Sequence, residues 1–260
     1  MQVRWAGIRS PSTLAPSRLR RSALRQWIHS NGKRLLRSLS ALQARHSRIA
    51  TTPFLDRDTF SWVKELEAQT GAIRSELLPL MPHLDQIPAF HEISPDQARI
   101  SKGDHWKTFV LVAFGETIAH NANLCPKTMT LLAGIPQLEN AWFSILAPGY
   151  HIPPHRGPTR ALVRCHLGLL VPDPADQCWL RVDSERRHWQ EGVCLLFDDT
   201  YEHEVQNNTE GYRTVLFLDV QRPMDRVGTL LNRALLRGLK ASAYVRDPLR
   251  NLAKQRRLQR

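Results

Sequence analysis

From residue 142 onward the chain is a series of short apolar runs, each closed by Pro, Gly, Asn or Asp. That rhythm limits the fold more than any other feature. The runs lie at 142–146, 161–171, 178–182, 193–197 and 214–220, and another at 108–114 precedes them. Each has strand length, and the punctuation by turn formers predicts an all-β sandwich or barrel. None of them approaches the roughly 18 to 20 apolar residues that would cross a bilayer. Ahead of the strands, residues 60–66 and 73–80 read as helices stopped by Pro79 and Pro82. Residues 88–101 read as loop, and Pro126 suits the first position of a short helix reaching Ala133. Gly-rich phosphate loops, nucleophile elbows and internal repeats are absent from the sequence.

Charge divides the chain in three. Residues 1–50 hold eleven Lys or Arg and no acid, residues 51–225 hold 15 basic against 23 acidic side chains, and residues 226–260 hold ten basic residues with Asp247 alone. The expected organisation follows: a basic arm over 1–50, poorly ordered or amphipathic-helical; a folded domain over 51–225; and a basic helical tail over 226–260. Residues 19–42 suggest two short amphipathic helices broken at Asn31-Gly32, and LLNRALLR at 230–237 another. For the arm, contact with an anionic membrane, nucleic-acid binding, a transit peptide and a solvated segment all stay open. A membrane-surface role for both tails is preferred. No recognition motif accompanies the charge, so no specific nucleic-acid partner is expected. Hydrophobic residues at 42% exclude a wholly disordered chain. The four cysteines, Cys125, Cys165, Cys178 and Cys194, form no CxxC pair and suit neither a zinc motif nor a disulfide framework. A reducing, cytoplasmic location, peripheral to a membrane, is the matching expectation.

Three of the eleven histidines stand in unusual places. His155 lies in a turn-rich loop, His166 inside an apolar strand, and His203 just after the strand ending at Phe197. Each alone is more often a hydrogen-bonded structural histidine, yet two imidazoles at strand ends of one barrel can converge on a metal. Arg164, two residues before His166, shares its face, and Arg213 opens the apolar run at 214–220. An inward arginine needs an anion, and its planar fork suits a carboxylate. Internal pairing, for example Arg213 with Asp219 or Arg164 with Asp183, satisfies the same need.

The blocks HIPPHRGPT at 151–159, VRCHLGL at 163–169, WQEGVCLLFDDTYEHEV at 189–205 and YRTVLFLDV at 212–220 resemble the aspartyl/asparaginyl β-hydroxylase family. The resemblance is clear from about residue 141 to 223 and does not cover the tails. It implies a double-stranded β-helix, a cupin-like jelly roll with flanking helices, and an Fe(II)- and 2-oxoglutarate-dependent dioxygenase that also consumes O2. It implies His155 and His203 as the iron ligands. It assigns Ser144 and Arg213 to the distal carboxylate of 2-oxoglutarate, and Arg164 and His166 to the carboxylate beside the iron. Most such dioxygenases add a carboxylate two residues after the first histidine. Gly157 stands there, so a water is expected in that position, with Asp199 holding it or acting as a turn carboxylate. The chemistry implied is hydroxylation of a C–H bond coupled to loss of CO2 from 2-oxoglutarate.

Three functions remain in view. The first is hydroxylation of an Asp or Asn residue in a peptide or protein. The second is the same chemistry on a lipid, since lipid A hydroxylases resemble the same blocks. The third is a non-catalytic jelly-roll binding module. The residues at 83–105 are expected to help form the entrance to the site.

Overall fold

Strand Arg213–Gln221 shows why this sequence makes two layers around a filled interior. All of its residues but the last are buried, and the side chains alternate. Leu216, Leu218 and Val220 point to one core and Arg213, Val215, Phe217 and Asp219 to the other side of the sheet. The first core joins that strand to Phe143, Ile145, Cys165 and Leu167 and is capped by helical Val63, Leu66, Ile73, Leu77 and Leu132. The second lies inside the barrel, where Val215 and Phe197 meet Ile152, Leu180, Val182 and Val205 of the opposite sheet. Burying an aliphatic or aromatic side chain in such a core is worth about 1.5–3 kcal/mol.

A computed structural model describes residues 38–258. The strands are β1 (Phe54–Leu55), β2 (Trp106–Ala113), β3 (Glu116–Thr117), β4 (Leu138–Leu146), β5 (His151–His155), β6 (Leu162–Leu170), β7 (Cys178–Val182), β8 (Glu185–His188), β9 (Cys194–Phe197), β10 (His203–Asn207) and β11 (Arg213–Gln221). They form a seven-stranded sheet ordered β1-β9-β6-β11-β4-β2-β3 and a four-stranded sheet ordered β5-β10-β7-β8. Every strand pairing within these sheets is antiparallel. From β4 to β11 the chain passes back and forth between the sheets, except for the β7–β8 hairpin. That winding is the double-stranded β-helix, or jelly roll, expected above.

The helices are α1 (38–45), α2 (Trp62–Ala68), α3 (Thr70–Leu77), α4 (Phe90–Ile93), α5 (Ala119–Leu124), α6 (Pro126–Ala133), α7 (Arg226–Lys240) and α8 (Ala243–Leu258). Pro126 does open α6. The segment read as loop at 88–101 contains α4 and a 3₁₀ turn, and the helix read over 73–80 ends at Leu77 in a further 3₁₀ stretch.

Contacts cross both of the boundaries expected at 50 and 225. Gln43 in α1 is buried. Its amide nitrogen donates to Asn232 of α7, and its oxygen accepts from Thr159 Oγ1 and the Arg160 N–H. Ser47 bridges to Met224, Arg48 N–H donates to the Pro223 carbonyl, and the Ala50 carbonyl accepts from Arg222. Residues 38–50 therefore belong to the folded body. The amphipathic reading of 19–42 lies mostly outside the described residues, as does the transit-peptide reading. The C-terminal helices also return to the body: Leu252 of α8 packs on Ile93, Val110 and Ala113, and Asn251 donates to the Ile93 carbonyl. No helix among the described residues is long and apolar enough to cross a membrane.

Candidate active site

One end of the barrel opens into a cavity of about 190 Å³. Its walls come from α4, β2, β4, α7 and α8, through Phe90, Ile93, Val110, Trp142, Leu239 and Leu252 among others, and His155 and His203 reach it from the small sheet. Phe90, Ile93 and Ile100, from the segment 83–105, line the cavity. The two histidines are direct partners in the β5–β10 register, and their ring centroids lie 4.1 Å apart. Local sequence sets this up. His155 is the last residue of β5 before Gly157-Pro158 ends the strand, and His203 is the first of β10 after the turn at 198–202.

Both rings are held in one tautomer. His155 Nδ1 lies 2.8 Å from the Pro153 carbonyl and His203 Nδ1 lies 3.0 Å from the Tyr201 carbonyl. A carbonyl only accepts, so each Nδ1 carries the hydrogen and each Nε2 keeps its lone pair. His203 Nε2 is buried and has no hydrogen-bond partner among the described residues. Burial lowers the pKa of His155 to about 4, with Arg164 adding repulsion, and takes His203 well below its usual value, with His155 and Arg164 adding to it. Both imidazoles are neutral at pH 7, the form a metal takes. No cluster of three His, Cys, Asp or Glu suited to a metal occurs among the described residues. A metal here would rest on two imidazoles, and two neutral rings 4.1 Å apart, with the partnerless Nε2 of His203, fit one.

Gly157 is constrained by Asp199. A Cβ on Gly157 would overlap the Asp199 carboxyl group, and the Gly157 N–H donates to the Asp199 carbonyl at 2.7 Å. The space that a longer side chain would use is thus filled by the carboxyl group of Asp199. Burial raises the pKa of that group to about 6, against the pull of Arg164, whose Nη2 lies 3.1 Å away. The turn role belongs to the neighbouring Asp198, which accepts from the Thr200 N–H and hydroxyl. Asp198 also pairs with Arg222, both side chains being fully buried.

Deeper inside, Arg213 stands almost without solvent contact, 1% exposed. No acid pairs with it among the described residues, and its Nε has no partner. Its hydrogen bond from Nη1 to the Ser144 carbonyl is long at 3.5 Å. Its guanidinium lies 4.6 Å from the centre of the Trp189 ring, and burial lowers its pKa to about 10. Asp219, the internal partner considered for Arg213, is taken by Arg164 and Asn140. Ser144 Oγ accepts from Trp106 Nε1 at 3.0 Å, which leaves its O–H to be donated. Both ring nitrogens of His166 are buried without partners, between Trp189, Phe197 and Phe217. An unpaired guanidinium, a free hydroxyl and a bare imidazole in one dry interior fit an anionic ligand with further hydrogen-bonding atoms.

Arg164 lines the cavity and is also held by acids. Its Nε donates to Asp219 at 2.9 Å, its Nη2 reaches Asp199, and its plane covers Phe217. It is a member of an internal ion network, with Asp219 and Asp199 in place of the Asp183 suggested by sequence. The sequence reading also passed over Trp106, Trp189 and the wall supplied by α7 and α8. Trp189 opens the stretch 189–205, and its contact with Arg213 depends on the fold.

The profile of the aspartyl/asparaginyl β-hydroxylase family matches residues 67–223. An ornithine lipid ester-linked acyl 2-hydroxylase of Rhizobium tropici is 40% identical over 211 residues, covering 81% of this chain and 75% of that protein. The human aspartyl/asparaginyl β-hydroxylase is 37% identical over 169 residues, covering 62% of this chain but 21% of the human protein. Aspartate β-hydroxylase domain-containing protein 2 of Xenopus tropicalis is 35% identical, and the match spans 67% of this chain and 48% of that one. Among solved structures, a Pseudomonas putida prolyl-4-hydroxylase is similar with a TM-score of 0.39 and 17% identity, over 72% of this chain and 99% of that chain.

Proposed function

The chain belongs to the aspartyl/asparaginyl β-hydroxylase family, and on that premise we propose that it is an Fe(II)- and 2-oxoglutarate-dependent hydroxylase acting on an acyl chain of an ornithine-lipid-type membrane lipid. The observation that carries the choice of substrate is the cavity in front of the histidine pair. Most of its surface is apolar, through Phe90, Ile93, Trp142, Leu239, Val245 and Leu252, which suits a hydrocarbon chain, while Gln97, Asn140, Arg156 and Arg164 add polar groups that could meet a lipid's polar part. The relative in Rhizobium tropici carries the same activity in its name and aligns over most of both chains.

His155 and His203 would hold the iron through Nε2, their Nδ1–H groups fixed by the carbonyls of Pro153 and Tyr201. Arg213 and the Ser144 hydroxyl would hold the distal carboxylate of 2-oxoglutarate, with His166 beside the rest of the molecule. Bound there, iron with 2-oxoglutarate and O2 supplies the oxidising power to replace a C–H hydrogen by hydroxyl. The protein's own work is placement. The apolar walls keep water from the reacting carbon, and the Arg164–Asp219–Asp199 network fixes the floor between the histidines and Phe217.

The second reading, an Asp or Asn residue of a peptide as substrate, is supported by the family profile and the human relative. Succinate release separates the two. With Fe(II), 2-oxoglutarate and O2 supplied, an ornithine lipid in mixed micelles should raise succinate formation well above the substrate-free rate, and Asp- or Asn-containing peptides should not. Stimulation by peptides alone would replace the lipid reading with the peptide one.

A further inference from the structure

The outer face of α7 is the most exposed apolar surface among the described residues. Val227, Leu230 and Leu231 are 57%, 70% and 41% exposed, and with exposed Ala234 they stand at i, i+3, i+4 and i+7. That spacing puts them on one stripe of the helix. The opposite stripe, Gly228, Asn232 and Leu236, is buried against the body. Helix packing therefore does not explain the outer leucines, and three large apolar side chains in one patch call for a partner. Arg226, Arg233 and Arg237 are exposed along one edge of the same patch. No acid occurs anywhere in α7, and Asp247 is the single acid of residues 226–260. The basic edge disfavours the chain's own N-terminal arm as the cover, because residues 1–37 hold nine Lys or Arg and no acid.

We propose that the outer face of α7 docks this protein on an anionic lipid bilayer, Val227, Leu230 and Leu231 entering the acyl region and Arg226, Arg233 and Arg237 meeting the lipid phosphates. Apolar residues beside a basic edge are the pattern of a helix lying in a membrane interface. The same helix lends Leu236, Leu239 and Lys240 to the cavity wall, so docking by its outer face brings a bilayer to the structure that bounds the site. The surface stands independently of which substrate the site takes.

The test is co-sedimentation of the full chain with vesicles of phosphatidylcholine alone or of equal parts phosphatidylcholine and phosphatidylglycerol, without substrate. Wild type should bind the anionic vesicles, weakly or not at all the neutral ones, and less as salt rises. Val227→Ser/Leu230→Ser/Leu231→Ser and Arg226→Gln/Arg233→Gln/Arg237→Gln should each weaken binding by about tenfold or more, the second set by loss of roughly fivefold per arginine near the surface. All six side chains face solvent, so thermal melts and micelle-based succinate formation should match wild type. Binding undiminished in both variants overturns the proposal, as does equal binding to neutral vesicles. A wild-type dimer that the apolar variant converts to monomer also overturns it, because the patch then joins two copies. Failure of lipid hydroxylation, with these binding results intact, would count against the substrate reading and leave the docking surface standing.

Discussion

Arg213 places a guanidinium inside the barrel, over the Trp189 ring, with no acid paired to it among the described residues. If it anchors a carboxylate of 2-oxoglutarate, Arg213→Lys keeps the charge and loses the fork. The apparent affinity should then fall about tenfold to hundredfold, the size of one charge-assisted hydrogen bond, while iron binding persists. A 2-oxoglutarate titration checks this, and unchanged affinity in the folded fraction would remove Arg213 from the site. The histidines make a second prediction. Burial lowers His155 to about 4 and takes His166 and His203 below the usual 6.5, so between those values the unfolded chain binds more protons than the folded one. Asp199, raised from 3.8 to about 6, acts in the opposite sense over that range. Three groups outweigh one, and the iron-free protein should lose stability as pH falls from about 6.5 toward 4. His155→Gln should flatten the slope of Tm against pH, and an unaltered slope would contradict the assignment. At this scale the sequence blocks located the histidines and Arg213. The role of Arg164 was illegible, because it depends on Asp219, 55 residues away and brought opposite by the β6–β11 register.

Helix α1 and the pair α7 and α8 behave alike: each was read as part of a basic appendage, and each packs on the body. Charge counts describe the solvent face of a helix, and they carry no information about what its other face covers. Thus α1 hides Gln43, whose amide ties α7 to the loop after β5, and α7 hides Asn232 at the other end of that contact. Removal of residues 1–37 should leave the melting temperature unchanged, whereas removal of 1–50 should lower it clearly. Gln43→Ala should cost about 1–3 kcal/mol, since Asn232, Thr159 and the Arg160 N–H lose a buried partner. A denaturant titration measures each, and equal stability of the two truncations would return residues 38–50 to the status of a loose arm. The strands were more legible. Their apolar runs with turn residues between them marked β4, β6, β7, β9 and β11, whereas α4 was missed because Pro88, Ser94 and Pro95 bracket a single turn of helix.

At the level of the whole molecule, a jelly roll supplies a rigid interior that holds the facing histidines and the buried Arg213, and the helices added at its open end help to wall the cavity. The roll was readable from strand rhythm and from four motif blocks in order. The cavity was not, because its wall joins α4, β2, β4, α7 and α8, elements more than 150 residues apart that only the fold brings together. In the proposed function this apolar cavity presents a lipid acyl chain to the histidine pair for hydroxylation coupled to 2-oxoglutarate. The most direct test of that function is turnover of an ornithine lipid under isotopically heavy dioxygen, followed by mass spectrometry of both products. The expected result is one heavy oxygen in the acyl chain and one in succinate, in equal amounts, with neither formed by His203→Ala. Succinate carrying the label while the lipid stays unlabelled would contradict it.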